Sequence, residues 1–530
     1  MAVQLAASRN GAPAGFSARP QATDVIEYGW RRNVITLGIV IATLLEIVDV
    51  TIVNVALPNI EGNFGASVDQ AAWIGTGYII ANVVIIPITP WLQKRFGRRQ
   101  YYAASIALFV LASIMCGLSG SLEALIFWRI IQGVGGGGLV STSQAILRET
   151  YPRSQGGKAA GIFAMGVIVG PTIGPTLGGW ITDTYSWRYA FFVNVPLGII
   201  AFLIVVLLLR NPEKPQKLSL DYVGLLVLAT GIGCLQYVLD QGQQKDWFDD
   251  PSIVICSCVA VVGLIAFVLY ELRQKQPIVQ LHVLRYPSVA AGSLLGMVLG
   301  ISLYGSVLIL PQYVQGSLGF TATLSGELLV FRAAAVMIFT PISAILLSRG
   351  LVDTRWQVAL GFTLLGISNF MLAAVTTTDS GFWTFFWPLV VSGIGLAQIF
   401  VPLTVTVVGG VQPRDIPAAA AFFNLARQMG GSVAIAALVT ILSRSNAVHH
   451  TELASQITMH SPAVSIYAER SGGAAASAKV SQQLNLLVTQ QAAVLAYADT
   501  ARVVALSSLL MAPLAFILKR PKSAAMIAAE

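Results

Sequence analysis

A chain of 530 residues that is 55% hydrophobic and only 11% charged, with a mean hydropathy of +0.73, cannot cover a water-facing surface; soluble domains carry about 25% charged residues. Its net charge of +8 would suit nucleic acid if it formed one patch, but the basic residues are spread over short breaks between long apolar runs, so the bilayer is the expected partner and nucleic acid is not. The 49 glycines fit helices that approach one another closely in lipid.

Taken in chain order, residues 1–33 are polar, lack the apolar core of a cleavable leader, and read as a cytoplasmic tail. Apolar runs of about 20 residues then predict fourteen membrane helices, roughly at 34–58, 71–91, 101–119, 122–147, 158–182, 188–209, 221–239, 252–271, 288–314, 325–348, 357–375, 383–408, 416–443 and 499–518. Even parity puts both termini on one side. The loops of that side hold most of the lysines and arginines. The short loops opposite hold only Arg188 and Lys245, with Glu61, Asp69, Asp183, Asp246, Asp249 and Asp250, so both termini are expected in the cytoplasm.

A charged, proline-bearing break, "RNPEKPQKLSLD" (210–221), interrupts the series after the sixth helix. The long loop 444–498 is the other exception. Its later part has helix-forming composition and follows a turn-like "ERSGGAAAS", which predicts a helical hairpin standing off the membrane. Its histidines, His449, His450 and His460, read as solvent-exposed and not as metal ligands. Cys116, Cys234, Cys256 and Cys258 fall in predicted helices without metal-ligand spacing and read as packing residues.

Charges that stay inside the apolar runs carry most information. Glu46 and Asp49 are three residues apart and share one helix face. Arg129, Arg332 and Arg427 sit well inside predicted helices, where a charge costs roughly 2.5 kcal/mol or more and usually faces a pathway or a partner. For Arg332 and Arg427 a structural ion pair, or snorkelling to the rim, is an equal expectation. The glycine run Gly135 to Gly138 follows no strand and lacks the lysine of a phosphate-binding loop, so close helix packing is expected and an ATP-driven pump is not. In "GVIVGPTIGPTLGGWITD" (166–183), Gly166, Gly170, Gly174 and Gly178 recur every four residues and make a smooth stripe. Pro171 and Pro175 remove two backbone donors and bend the helix, as a moving interface would require.

These motifs together resemble one family. The chain is similar to transporters of the major facilitator superfamily, and more narrowly to their fourteen-span drug:proton antiporters of the EmrB/QacA type. The first-helix signature "LDxTIVNVALP" is matched from Val48, in place of Leu, through Asp49 and Asn54 to Pro58. The proton-linked "RxxQG" is matched at Arg129, Gln132 and Gly133, and the antiporter motif "GxxxGPxxGPxxGG" from Gly166 to Gly179. "WRYAFFVNVPLG" (187–198) and "FFNLARQMGGSVAIA" (422–436) also resemble this branch. One departure stands out: "PWLQKRFGRRQ" keeps Arg95, Gly97, Arg98 and Arg99 of the loop between helices two and three but has Pro90 for a glycine and Lys94 for the acid, which puts the usual acid-based latch of that cytoplasmic gate in doubt.

The resemblance implies an all-α polytopic fold with two six-helix bundles, 34–209 and 288–518, the second including the periplasmic loop 444–498. Two extra helices lie within 210–287, and the tails are 1–33 and 519–530. It implies a secondary transporter of the bacterial inner membrane, not an enzyme, with no cofactor and no metal. Protons and an amphipathic drug would be its cargo, and an EmrA-like periplasmic adaptor and a TolC-like outer-membrane channel its partners. Asp49 would carry the proton with Arg129 as a movable counter-charge. Glu46 is left open between a second proton site, a contact for cationic drugs, and an acid facing water in the cavity mouth. Asn54, Gln132, Gln312, Tyr313, Gln398, Asn424 and Arg427 are the candidates for a mostly apolar cargo cavity. A dedicated exporter of one metabolite (a fatty acid, siderophore or bile salt) is the alternative. A membrane-bound enzyme or sensor is disfavoured, because His, Ser and acidic groups do not gather near one membrane face.

Overall fold

The computed structural model describes residues 26–518 apart from 153–154, 212–214, 220, 275, 458–463, 465 and 467–477, and every regular element among the described residues is helical. Among the described residues thirteen helices are long and apolar enough to cross a membrane, and the 30-residue Pro287–Gly316, apolar over Pro287–Leu303, is a fourteenth long helix. In chain order they are α1 Gly29–Phe64, α2 Val68–Phe96, α3 Arg98–Leu118, α4 Leu122–Thr150, α5 Gly156–Thr184, α6 Tyr189–Leu208, α7 Tyr222–Gln241 and α8 Pro251–Glu271. The remainder are α9 Pro287–Gly316, α10 Ala322–Ser348, α11 Thr354–Val375, α12 Phe386–Gly409, α13 Ile416–Gln456 and α14 Ala478–Met511.

Local chemistry sets the ends. Ser67 and Gln70 form a reciprocal capping box at the start of α2, and Ser121, Asp221, Asp250, Thr321 and Asp353 each accept a backbone N–H at the start of α4, α7, α8, α10 and α11. Gly65 closes α1 at φ 62°, a conformation that favours glycine.

Several boundaries differ from the sequence expectation. α1 starts in what reads as the tail and runs through Pro58, because a proline removes a single donor while the flanking turns stay apolar and packed. α4 is interrupted at Gly137 and Gly138, where the glycine run loosens the ladder. α13 has 41 residues, roughly 62 Å, and α14 begins at Ala478, so both outlast a hydrocarbon layer of about 30 Å. The two helices pack on each other, and most of the segment between them, with His460, lies outside the described residues, as do most of the two tails.

The helices sort by burial. In α12, 72% of the apolar window is buried, against 17% in α8, so α12 is central and α8 peripheral. α1 packs on α5 and α6, α3 on α4 and α6, and α2 on α4; α9 packs on α13, α11 on α12 and α14, and α10 on α12. The two groups meet where α5 lies along α10 and where α2 and α4 meet α13. The pair α7 and α8 rests on the outside of the α2 and α13 seam.

Candidate functional site

The interior of α1 carries two carboxylates enclosed by protein. Asp49 is 0% exposed, and each of its partners is a donor. Arg129 Nη1 donates to its Oδ2 at 2.5 Å, while Gln132 Nε2 at 2.9 Å and Asn194 Nδ2 at 2.8 Å donate to its Oδ1. α4 supplies Arg129 and Gln132 one turn apart, and the start of α6 supplies Asn194. The arginine is itself held on several sides. It donates to Gln132 Oε1 at 2.8 Å and, through Nε, to the Ile74 carbonyl at 3.2 Å, and its guanidinium lies 4.2 Å over the Tyr78 ring. Three donors on one carboxylate match its ionised form, and a dry ion pair of this kind holds only when both partners are otherwise satisfied.

Glu46 shares the helix but not the partners. Its Oε1 accepts from Asn82 Nδ2 of α2 at 3.1 Å and its Oε2 from the Val140 backbone N–H of α4 at 3.0 Å. Only 5% of it is exposed, so the water-facing reading is corrected: the glycine break in α4 frees the Val140 amide to bind it. Asn82 also accepts from Gln428 Nε2 of α13 at 3.1 Å, and Arg427 acts on Glu46 electrostatically. The carboxylate is thus tied, through one asparagine, to the far side of the seam.

The glycines do what close packing asks. A Cβ on Gly135 would lie 2.7 Å from the Phe109 backbone nitrogen and one on Gly136 2.8 Å from the Tyr78 hydroxyl. On α5, Gly170, Gly174 and Gly178 press on Ile47, Thr51 and Ile52 of α1, while Gly179 is buried beside them in sequence and Gly166 has more room. Pro171 and Pro175 lie inside an unbroken α5. The motif stripe therefore faces α1. The contact of α5 with α10 is made elsewhere on its surface, by Gly157 and Gly161 against Thr340 and Ala344, and by Gly326 of α10 against Thr176.

The candidate cavity residues do not converge on one space. Asn54 and Gln312 are exposed, and Gln132 belongs to the Asp49 network. Tyr313 donates to the Thr377 carbonyl at 2.6 Å inside an apolar cluster with Phe385, and Gln398 accepts from Gln357 Nε2 at 2.8 Å. Asn424 of α13 reaches across the seam and donates to Gln144 Oε1 of α4 at 2.6 Å, one turn before the buried Arg427.

At the α2 to α3 junction, Gly97 holds φ 87°, a conformation that favours glycine whatever the space around it. Arg98 pairs with Glu149 of α4 and donates to Gln93 at 3.1 Å, and the Arg99 amide donates to Asn211 at 2.8 Å. Arg95 lies over Phe96. Glu149 is thus the acid at this junction, paired with Arg98. In the long hairpin, His449 is not simply solvated: its Nε2 lies 2.7 Å from Asp499 of α14, which also accepts from Arg502 at 2.6 Å.

Sequence reasoning missed Asn194, Asn82 and Ser113, which receives the second Asn194 hydrogen at 3.0 Å. A lone asparagine in an apolar run was the available signal, because an amide in lipid must find a partner.

Fourteen long helices, most of them long and apolar enough to cross a membrane, with a buried acid and arginine between α1 and α4, make an all-helical polytopic fold. Among solved structures, the human organic anion transporter MFSD10 superposes with a TM-score of 0.58 over 93% of this chain and 100% of its own at 13% identity, which shows the fold alone. The Major Facilitator Superfamily profile matches residues 39–435, and the chain belongs to that family. The multidrug export protein EmrB of Haemophilus influenzae is 35% identical over 431 residues, which are 81% of this chain and 84% of that protein. The fatty acid resistance protein FarB of Neisseria gonorrhoeae has the same identity and the same coverage.

Proposed function

We propose that this transporter is a proton-coupled antiporter that exports amphipathic drugs or toxic hydrophobic compounds across a bacterial inner membrane, with both termini in the cytoplasm. The observation that carries the reading is the enclosed pair of Asp49 and Arg129. A carboxylate matched by one arginine is neutral as a unit; parting the two leaves an acid in low dielectric that takes up a proton. Rocking of the α1–α6 bundle against the α9–α14 bundle would open this pair to water from one side of the membrane at a time, around a site near the midplane, and a shift of α4 against α1 within the first bundle would part and restore it. One charge crossing about 100 mV releases roughly 2.3 kcal/mol, enough for a roughly forty-fold cargo gradient. Similarity to EmrB proteins and the hairpin of α13 and α14 support a tripartite pump, in which that hairpin docks an EmrA-like adaptor feeding a TolC-like channel.

The test is cargo-induced proton release in proteoliposomes. Asp49→Asn is expected to abolish it while the protein still reconstitutes, and normal coupled exchange in that variant would remove the assignment. A second reading, export of one metabolite such as a fatty acid, is favoured by the equal similarity to FarB. A cargo panel separates the two, since a dedicated exporter ignores most dyes.

A further inference from the structure

Three arginines are buried deep within helices, and α1 brings two carboxylates to meet them. Arg129 is paired with Asp49, and Arg427 faces the field of Glu46. Arg332 is the third. It is 0% exposed, and its Nε, Nη1 and Nη2 have no hydrogen-bond partner among the described residues. Of the expectations for it, the two structural ones fail: among the described residues it has no ion pair, and it does not reach the rim. It lies ten residues into α10, about 15 Å along the helix, which is half of a hydrocarbon layer of about 30 Å.

Nothing in the surrounding helices supplies its counter-charge. α10 packs on α5, α9 and α12. α9 and α12 contain no Asp or Glu, α5 contains only Asp183 at its far end, and α10 itself only Glu327; both of those are exposed. The buried face of α10 is otherwise apolar around Arg332, with Leu328 and Leu329 a turn before it and Val336 a turn after. Thr340, one turn further, is also enclosed with its hydroxyl unpartnered. A guanidinium kept dry and unpaired is among the most costly groups a membrane protein can hold. A carboxylate meets its planar fork with two oxygens at once, which a neutral or cationic group cannot do.

We propose that Arg332 is the binding point for the carboxylate of an amphipathic monoanion, which reaches it when the packing of α10 on α5 and α12 opens. This rests on the export reading above and narrows its cargo. The residue is too deep for a lipid phosphate held at the surface, so the anion is cargo and not headgroup.

The experiment is equilibrium binding of decanoate and of methyl decanoate to the full chain in phosphatidylcholine nanodiscs. Decanoate is expected to bind wild type about tenfold more tightly, with Arg332→Gln bringing the two probes within about twofold and Arg332→Lys keeping part of the difference. Equal affinities in wild type, or an undiminished preference in Arg332→Gln, would overturn the proposal. So would loss of decanoate binding in nanodiscs containing phosphatidylglycerol, which would assign the site to lipid. If Arg332→Gln does not fold, thermal stabilisation by each probe decides in wild type and Arg332→Lys: the excess for decanoate must exist in the first and shrink in the second. Binding needs no gradient. Lost proton coupling with an intact decanoate preference defeats antiport alone, and intact coupling without the preference defeats this inference alone.

Discussion

Arg129 holds three acceptors from different directions: Asp49 Oδ2, Gln132 Oε1 and the Ile74 carbonyl. A lysine at that position offers one compact charge and cannot span them, nor lie flat on Tyr78. Removing the cation altogether leaves Asp49 buried without a counter-charge, a loss of about 3–5 kcal/mol. Arg129→Met is therefore expected to lower the thermal midpoint of the purified protein markedly, and Arg129→Lys less. The double variant Asp49→Asn with Arg129→Met should recover part of the loss, because no lone charge remains. Additive losses in that cycle would show that the two residues are not coupled in stability. The sequence makes Asp49, Arg129 and Gln132 legible because each is a polar residue in an apolar helix at a motif position. Asn194 is 145 residues from Asp49, and helical periodicity has no means of pairing residues so far apart. Glu46 shows the same limit. Its face could be read from its spacing to Asp49, but its partners depend on a break in α4 that opens one backbone amide.

At the scale of one helix, α5 uses its small residues on two faces for two contacts. The four-residue spacing of Gly166, Gly170, Gly174 and Gly178 reveals a stripe, but a stripe does not name what lies against it. In this structure the stripe fits closely against α1, around the turns that carry Glu46 and Asp49. The tightness is uneven along it. A Cβ on Gly178 would meet Ile52 Cγ1 at 2.8 Å and the Ile52 carbonyl at 3.0 Å, whereas one on Gly166 would find Thr43 Cγ2 no nearer than 3.8 Å. Gly178→Ala must push α1 away and is expected to cost about 1–3 kcal/mol as overpacking, read as a lower thermal midpoint. Gly166→Ala should be neutral or slightly stabilising, since alanine favours helix by up to about 1 kcal/mol over glycine. Equal effects at the two positions would mean that the stripe is not a close fit to α1.

Across the whole molecule, the seam between α1–α6 and α9–α14 is held by few strong bonds. Among the described residues two amide pairs cross it, Gln144 with Asn424 and Asn82 with Gln428, Arg427 of α13 acts on Glu46 of α1, and small residues and apolar contacts such as Phe163 against Phe400 fill much of the remainder. Amide pairs exchange readily for water, and glycine contacts slide without side chains to disengage, so such a seam can part where a buried ion pair would resist. If the two halves rock during export, the contact of α5 with α10 near Gly161 and Ala344 must open once per cycle. A Cβ built on Gly161 lies 3.7 Å from that of Ala344, close to the roughly 3.8 Å of a disulfide. In a background with Cys116, Cys234, Cys256 and Cys258 replaced, the pair Gly161→Cys and Ala344→Cys should cross-link under mild oxidation and stop export, with reductant restoring it. Each single cysteine variant should be indifferent to oxidant. Complete cross-linking with export undiminished would mean that this part of the seam stays shut throughout transport, and that any access path opens without separating α5 from α10.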